Sequence, residues 1–169
     1  SPPRALAAEQ APPRRFVQFV VDTSGSMAGD KIEQAKAALR TFVRSLRAND
    51  VFQVVSFASS VQTFFDRPRP ATPENVADAL ARVDRLQAMG GTNIGDALQQ
   101  ALTAVPPTDD GNVLLPQIVF VTDGQPTVGL TSPQQILDLT KQLDTRATRL
   151  FALGVGDVRD QAFAVDLLE

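Results

Sequence analysis

The sequence of 169 residues contains no histidine, cysteine, tryptophan or tyrosine. Without histidine and cysteine, this chain alone cannot build a Ser-His-Asp triad, a thiol nucleophile, a zinc finger, a haem ligand or a disulfide framework. Without tryptophan and tyrosine, stacking of sugars or bases is left to phenylalanine. A metal site in this chain must therefore use oxygen ligands, which favours hard cations such as Mg²⁺, Mn²⁺ or Ca²⁺.

Positive charge and long apolar runs are also scarce. The formal net charge is -3, so the basic excess typical of nucleic-acid-binding domains is missing and no nucleic-acid partner is expected. No apolar run approaches the roughly 18 residues that a membrane-spanning helix needs, so no transmembrane segment is predicted. The length suits one domain, and area scaling allows about 69% of the unfolded surface to be buried.

The two ends of the chain differ in pattern from its middle. Residues 1–15 contain four prolines and no apolar periodicity, which predicts a proline-rich arm or linker before a domain over 16–169. The last residues show a helical apolar pattern that stops at Glu169 without a glycine cap. We therefore expect the chain to be a piece of a longer protein, truncated near the domain's last helix.

Short apolar runs alternate with amphipathic segments along the rest of the chain, which indicates an α/β domain. We expect a doubly wound, mostly parallel six-stranded sheet, with five parallel strands, one short antiparallel edge strand and helices on both faces. The predicted strands are Phe16–Val21, Val51–Phe57, Val61–Phe65 as the antiparallel edge, Ile118–Val121 and Leu150–Leu153. The predicted helices run over Asp30–Arg47, Pro73–Arg85, Asn93–Ala104 and Ser132–Leu143, and residues 105–116 are predicted to be a polar connection.

Two acidic residues follow buried strands in this pattern. Asp22 comes after the first strand and Asp123 after the fourth. Ligands of open parallel sheets bind outside the carboxyl ends of the strands, and in a doubly wound order these two strands are neighbours. The two carboxylates are therefore expected to converge.

Hydroxyl side chains accompany these carboxylates. Ser24 and Ser26 alternate with Gly25 in a tight loop, and Thr92 follows two glycines just before a helix. If these loops fold over a cation, the hydroxyls can coordinate it while Asp22 and Asp123 hold metal-bound waters. Mg²⁺ suits this arrangement, because it prefers octahedral oxygen coordination and keeps several waters. Taken singly, each motif is equally compatible with turn caps and solvated loop residues.

Three segments together resemble the von Willebrand factor A domain family with an intact metal-ion-dependent adhesion site. They are DTSGSM (22–27), GGTN (90–93) and VTDG (121–124), in the family's order and at its usual separations. Residues 123–129 look most like the inter-alpha-trypsin inhibitor heavy chain type and bacterial VIT/vWA proteins. Some of these relatives have aspartate in place of Gln125, which is left out of the predicted site.

The resemblance implies a metal site, a partner and a location. The family's metal positions correspond to Asp22, Ser24, Ser26, Thr92 and Asp123. The implied function is a non-enzymatic, cation-dependent adhesion or interaction module, whose bound metal coordinates an aspartate or glutamate of a partner protein. An extracellular or cell-envelope location is implied as well.

Two other functions stay open at this point. One is an assembly subunit of an ATP-driven chelatase or chaperone complex, which would use the same fold. The other is a Mg²⁺-dependent phosphoryl-transfer enzyme with Asp22 as nucleophile. One such pattern requires a second aspartate where Ser24 stands, and the chain has no Walker lysine motif.

Overall fold

The computed structural model describes residues 14–104, 108–109, 112–123, 138 and 149–156. Strands and helices alternate along the chain, as the sequence predicts. The strands are β1 (Arg15–Asp22), β2 (Val51–Phe57), β3 (Val61–Thr63), β4 (Arg69–Pro70), β5 (Thr108–Asp109), β6 (Asn112–Val113), β7 (Leu115–Thr122) and β8 (Arg149–Gly154). The helices are α1 (Asp30–Arg44), α2 (Pro73–Asp84) and α3 (Ile94–Thr103), and a 3₁₀ turn covers Gly25–Met27.

Six strands form one mixed sheet in the order β3-β2-β1-β7-β8, and β4 also pairs with β2. Strands β1, β2, β7 and β8 are parallel, whereas β3 and β4 run antiparallel to β2. This confirms the α/β class and the mostly parallel six-stranded sheet with an antiparallel edge. Within the described ranges, four strands of this sheet are parallel instead of the five predicted. The sixth strand is β4, which pairs antiparallel with the start of β2, on the same side of β2 as β3. Strands β5 and β6 form a separate hairpin.

Helices cover both faces of the sheet, because alternate residues of each strand point to opposite faces. On one face, α1 and α2 pack against residues such as Phe19 of β1 and Val54 of β2. On the other face, α3 packs against residues such as Val20 of β1 and Val55 of β2. Strand β1 is the middle strand of the sheet and is buried along almost all of its length. The candidate site lies at the carboxyl ends of the parallel strands, and the end of β1 is at the centre of that side of the sheet.

Two of the predicted helices begin at side-chain caps, at Thr72 and Asn93, residue types that favour helix starts. The hydroxyl of Thr72 accepts a hydrogen bond from the backbone N–H of Asn75 at 3.2 Å, and Pro73 occupies the first turn of α2. The Asn93 side chain accepts one from the backbone N–H of Asp96 at 3.1 Å. Side-chain capping at these helix starts is a local interaction, which explains why the sequence predicts them.

Other boundaries differ from the prediction. Helix α1 ends at Arg44 instead of Arg47, because the Asp50 carboxylate captures the backbone N–H of Arg47 at 2.8 Å. Strand β3 ends at Thr63, because the Gln53 side chain takes the backbone N–H of Phe65 at 3.1 Å.

Four strand segments lie where the sequence predicts loops or connections. They are β4, together with β5, β6 and the start of β7 inside the connection predicted over 105–116, so that prediction is wrong at these residues; β5 and β6 pair with each other and β7 pairs with β1. Two of the four segments contain proline. Pro70 lies in the edge segment β4, and Pro116 lies in β7 before the first residue paired with β8, Gln117. Proline lacks an N–H to donate, so strands accept it where one side of the backbone has no ladder partner.

Several predictions fall outside the described residues. These are residues 1–13 of the predicted arm, the predicted helix over 132–143 apart from Asp138, and the helical pattern near the end of the chain. Asp138 is helical. Arg15 is already part of β1. None of the helices in the part of the chain that the structure describes is long and apolar enough to span a membrane.

Candidate metal centre

The carboxylates of Asp22 and Asp123 lie at the carboxyl ends of neighbouring parallel strands, as predicted. Asp22 is the last residue of β1, Asp123 directly follows β7, and both are fully buried, with 0% exposure. The register pairs Val21 with Val121, so the two strands end level with each other. The hydroxyl of Thr122 donates a hydrogen bond to Asp22 Oδ2 at 2.9 Å and ties the two strand ends together.

The two carboxylates sit in different electrostatic surroundings. Burial raises the pKa of Asp22 above its ordinary value; hydrogen bonds from Ser24 and Thr122 partly oppose this rise, and the charge of Asp123 adds to it. The ammonium of Lys31, in the first turn of α1, donates to Asp123 Oδ2 at 3.4 Å. A positive charge therefore already lies at the edge of the pair.

The loop after β1 brings two hydroxyls together. The backbone N–H of Ser24 donates to Asp22 Oδ1 at 2.9 Å, which turns the chain sharply after the strand. The Ser24 and Ser26 hydroxyl oxygens are 3.0 Å apart, with Ser24 buried and Ser26 exposed. The 3₁₀ turn over Gly25–Met27 holds this spacing, and the buried Met27 anchors the turn in the core.

The loop that carries Thr92 packs directly against the first loop. The backbone N–H of Gly25 donates to the carbonyl of Gly90 at 2.8 Å, and a Cβ at Gly25 would come within 3.3 Å of that oxygen. Gly90 has a φ of +85°, a conformation that favours glycine. Thr92 itself is buried two residues later. The close approach of the two loops therefore depends on the glycines in both motifs.

The donor set fits a hard divalent cation better than a softer metal. The five predicted ligands are two carboxylates and three hydroxyls, so all candidate donors are oxygens. No group of three or more histidine, cysteine, aspartate or glutamate side chains that could hold a metal occurs among the described residues. A cation at this place would therefore depend on hydroxyls and waters beside the two carboxylates.

Two residues near the site were not predicted from the sequence. The sequence gives no signal for Thr122, because its contact with Asp22 depends on the β1–β7 register. Lys31 left a weak signal: a lysine in the first turn of a helix opposes the helix dipole, which favours acidic residues there. Such a residue suggests a tertiary partner, and Asp123 is that partner.

The family pattern of the von Willebrand factor type A domain matches residues 17–125, which is more than half of the chain. The chain belongs to this family. Inter-alpha-trypsin inhibitor heavy chain H4 from Bos taurus is 39% identical to it over 145 residues, covering 83% of this chain and 16% of that protein. This vWA domain thus spans about a sixth of the length of that curated relative.

Solved structures share the fold of this vWA domain. A von Willebrand factor type A structure from Catenulispora acidiphila aligns with a TM-score of 0.73 at 23% identity, covering 92% of this chain and 37% of that one. The pilus adhesin SpaC from Lactobacillus rhamnosus GG aligns with a TM-score of 0.69 at 16% identity, covering 86% and 24%. Members of the family are generally non-catalytic protein-interaction and adhesion modules, and they often bind divalent cations.

Proposed function

We propose that this vWA domain is a divalent-cation-dependent binding module that recognises an acidic residue of a partner protein. The cation, Mg²⁺ in the first instance and Mn²⁺ or Ca²⁺ as alternatives, would be held by Asp22, Ser24, Ser26, Thr92 and Asp123. The observation that carries the proposal is the convergence of two fully buried carboxylates with the Ser24–Ser26 hydroxyl pair at one sheet edge. An extracellular or cell-envelope location is proposed on the family resemblance.

The charge balance of the donor set explains why a partner carboxylate would bind there. Asp22 already accepts hydrogen bonds from Ser24 and Thr122, and Asp123 accepts one from Lys31. These contacts suit carboxylates that act on a metal through water. Three neutral hydroxyls then leave a bound divalent cation with positive charge that is not fully compensated, so it supplies a binding position for one further anionic oxygen.

Calorimetric titration with Mg²⁺ tests the metal site. Asp22→Ala and Asp123→Ala should each abolish measurable Mg²⁺ binding while circular dichroism shows a folded domain. Asp66→Ala is the matched control, because it removes an exposed carboxylate in the loop before β4. Unchanged Mg²⁺ affinity in either site variant would contradict the proposed coordination.

A second titration tests recognition of acidic groups. A short blocked peptide with one aspartate should bind in Mg²⁺ and be released by chelator. Thr92→Ala should weaken peptide binding more than Mg²⁺ binding, whereas Thr41→Ala on the exposed side of α1 should change neither. Equal peptide binding in chelator would show that recognition does not use the cation. Mg²⁺-dependent phosphate release from phosphate esters would instead support the phosphoryl-transfer alternative.

A further inference from the structure

A groove opens beside the candidate metal centre, between the β2–β3 edge and the chain after α2. It comprises two adjoining cavities of about 300 Å³ and about 220 Å³, which share Ser56, Gln62, Arg85 and Leu86. We call it the Arg85 groove. Thr23, which stands between Asp22 and Ser24 in the chain, lines the larger cavity.

Backbone hydrogen bonds join the wall of the groove to the two loops that carry Ser24 and Thr92. The backbone N–H of Met89 donates to the carbonyl of Thr23 at 2.9 Å, and Gly25 donates to the carbonyl of Gly90. The loop that forms one wall of the groove is therefore the same loop that leads to Thr92.

The charge of the groove is positive in a protein that is acidic overall. Among the described residues, no acidic side chain lines the two cavities, and the charged side chains that line them are Arg82 and Arg85. Arg82 is held by the Asp78 carboxylate and the carbonyl of Phe64. The Arg85 side chain makes no hydrogen bond or ion pair to any described residue. Its guanidinium is therefore available to an anionic group in the groove.

An apolar side chain lies at the rim. Met89 is 67% exposed, the highest value among the large apolar side chains in the described ranges. Met89 lines the larger cavity together with Thr23 and Arg85. The groove thus offers an apolar contact at Met89, next to the loop that carries Ser24, and a cationic contact at Arg85.

We propose that the Arg85 groove binds a second acidic side chain of the same partner segment, about three residues from the carboxylate at the metal centre. The spacing follows from the sheet. Ser56 pairs with Gln62, so the groove lies over β2 and β3, and β3 is two strand spacings, about 10 Å, from β1. An extended peptide covers that distance in about three residues. This inference rests on the proposed function, because the metal centre fixes the first carboxylate.

Arg85 also has a simpler structural role to consider. It is the C-cap residue of α2, where a cation is favoured by the helix dipole. That role predicts an effect on stability and none on peptide selectivity. Urea unfolding of Arg85→Gln and of Arg44→Gln, an exposed arginine in the last turn of α1, separates the two roles.

Two blocked hexapeptides test the proposal with the Mg²⁺-loaded protein. One contains Asp-Leu-Gly-Glu and the other Asp-Leu-Gly-Gln, so they differ by a single carboxylate. The first should bind about fivefold more tightly, the upper range for an exposed ion pair. Arg85→Gln should abolish this preference, and Arg44→Gln, with the same loss of charge, should keep it.

The outcomes separate this inference from the proposed function. Equal affinity for both peptides, loss of the preference in Arg44→Gln, or no binding of either peptide at millimolar concentration would each overturn the Arg85 groove. A preference that persists in chelator and still requires Arg85 would support the groove while contradicting the metal-dependent function.

Discussion

Replacing Lys31 by methionine should strengthen Mg²⁺ binding to the metal-free domain. The Lys31 ammonium lies 3.4 Å from Asp123 Oδ2. It therefore partly neutralises the carboxylate charge that would attract a divalent cation. Methionine keeps an unbranched stem of similar length and removes the charge. The variant should therefore leave Asp123 in place but without its competing cation.

The contacts give the size of the effect. Two unit charges 3.4 Å apart attract by about 1.2 kcal/mol in water and by about 5 kcal/mol at an effective dielectric constant of 20. The Lys31 side chain is 25% exposed, so solvent screens the pair and side-chain ordering offsets part of the attraction. We therefore expect about 1 kcal/mol, which corresponds to about a fivefold lower Kd for Mg²⁺.

Isothermal titration calorimetry of the wild type, Lys31→Met and Lys31→Arg measures this change. Lys31→Arg keeps the positive charge and should stay close to the wild type. Thermal unfolding supplies an independent readout: Lys31→Met should be less stable without metal and gain more from saturating Mg²⁺. A Kd for Lys31→Met that is unchanged or higher would refute the competition between Lys31 and the cation.

Three further predictions concern stability and pH. Asp50→Ala should lower the free energy of unfolding in urea by about 3 kcal/mol. The reason is that the buried Asp50 carboxylate pairs with the Arg15 guanidinium and accepts a hydrogen bond from the backbone N–H of Arg47. The Mg²⁺ affinity of this variant should stay unchanged, because Asp50 lies at the opposite end of the strands from the candidate metal centre. Leu98→Ala in the fully buried face of α3 should cost about 3–5 kcal/mol in the same assay, and a cost below 1 kcal/mol would contradict the packing. Burial raises the pKa of Asp22, so the folded metal-free domain binds the Asp22 proton more tightly than the unfolded chain does. The stability of the metal-free domain should therefore fall as the pH rises from 3.8, the ordinary pKa of aspartate, through the raised pKa of Asp22. Calorimetry should show the Mg²⁺ affinity rising over the same pH interval.

The sequence alone determined the features that depend on local pattern. Apolar runs predicted the buried strands β1 and β2, helical periodicity predicted α1, and the Thr72–Pro73 start predicted α2. The caps at Thr72 and Asn93 were predictable because a side chain and a backbone group three residues away are enough to form them. The positions of Asp22 and Asp123 at strand ends followed from the same strand pattern.

Only the tertiary structure decided the features that join distant segments. Pro70 and Pro116 disfavour strands locally, but each lies where one side of the backbone has no ladder partner among the described residues. The contacts of Lys31 with Asp123 and of Thr122 with Asp22 join residues 92 and 100 positions apart, and they depend on strand order and register. The Arg85 groove likewise exists because the end of α2 packs over the β2–β3 edge. Composition and periodicity contain no information about such contacts, since their geometry is fixed only when the sheet and its two helical layers are packed together.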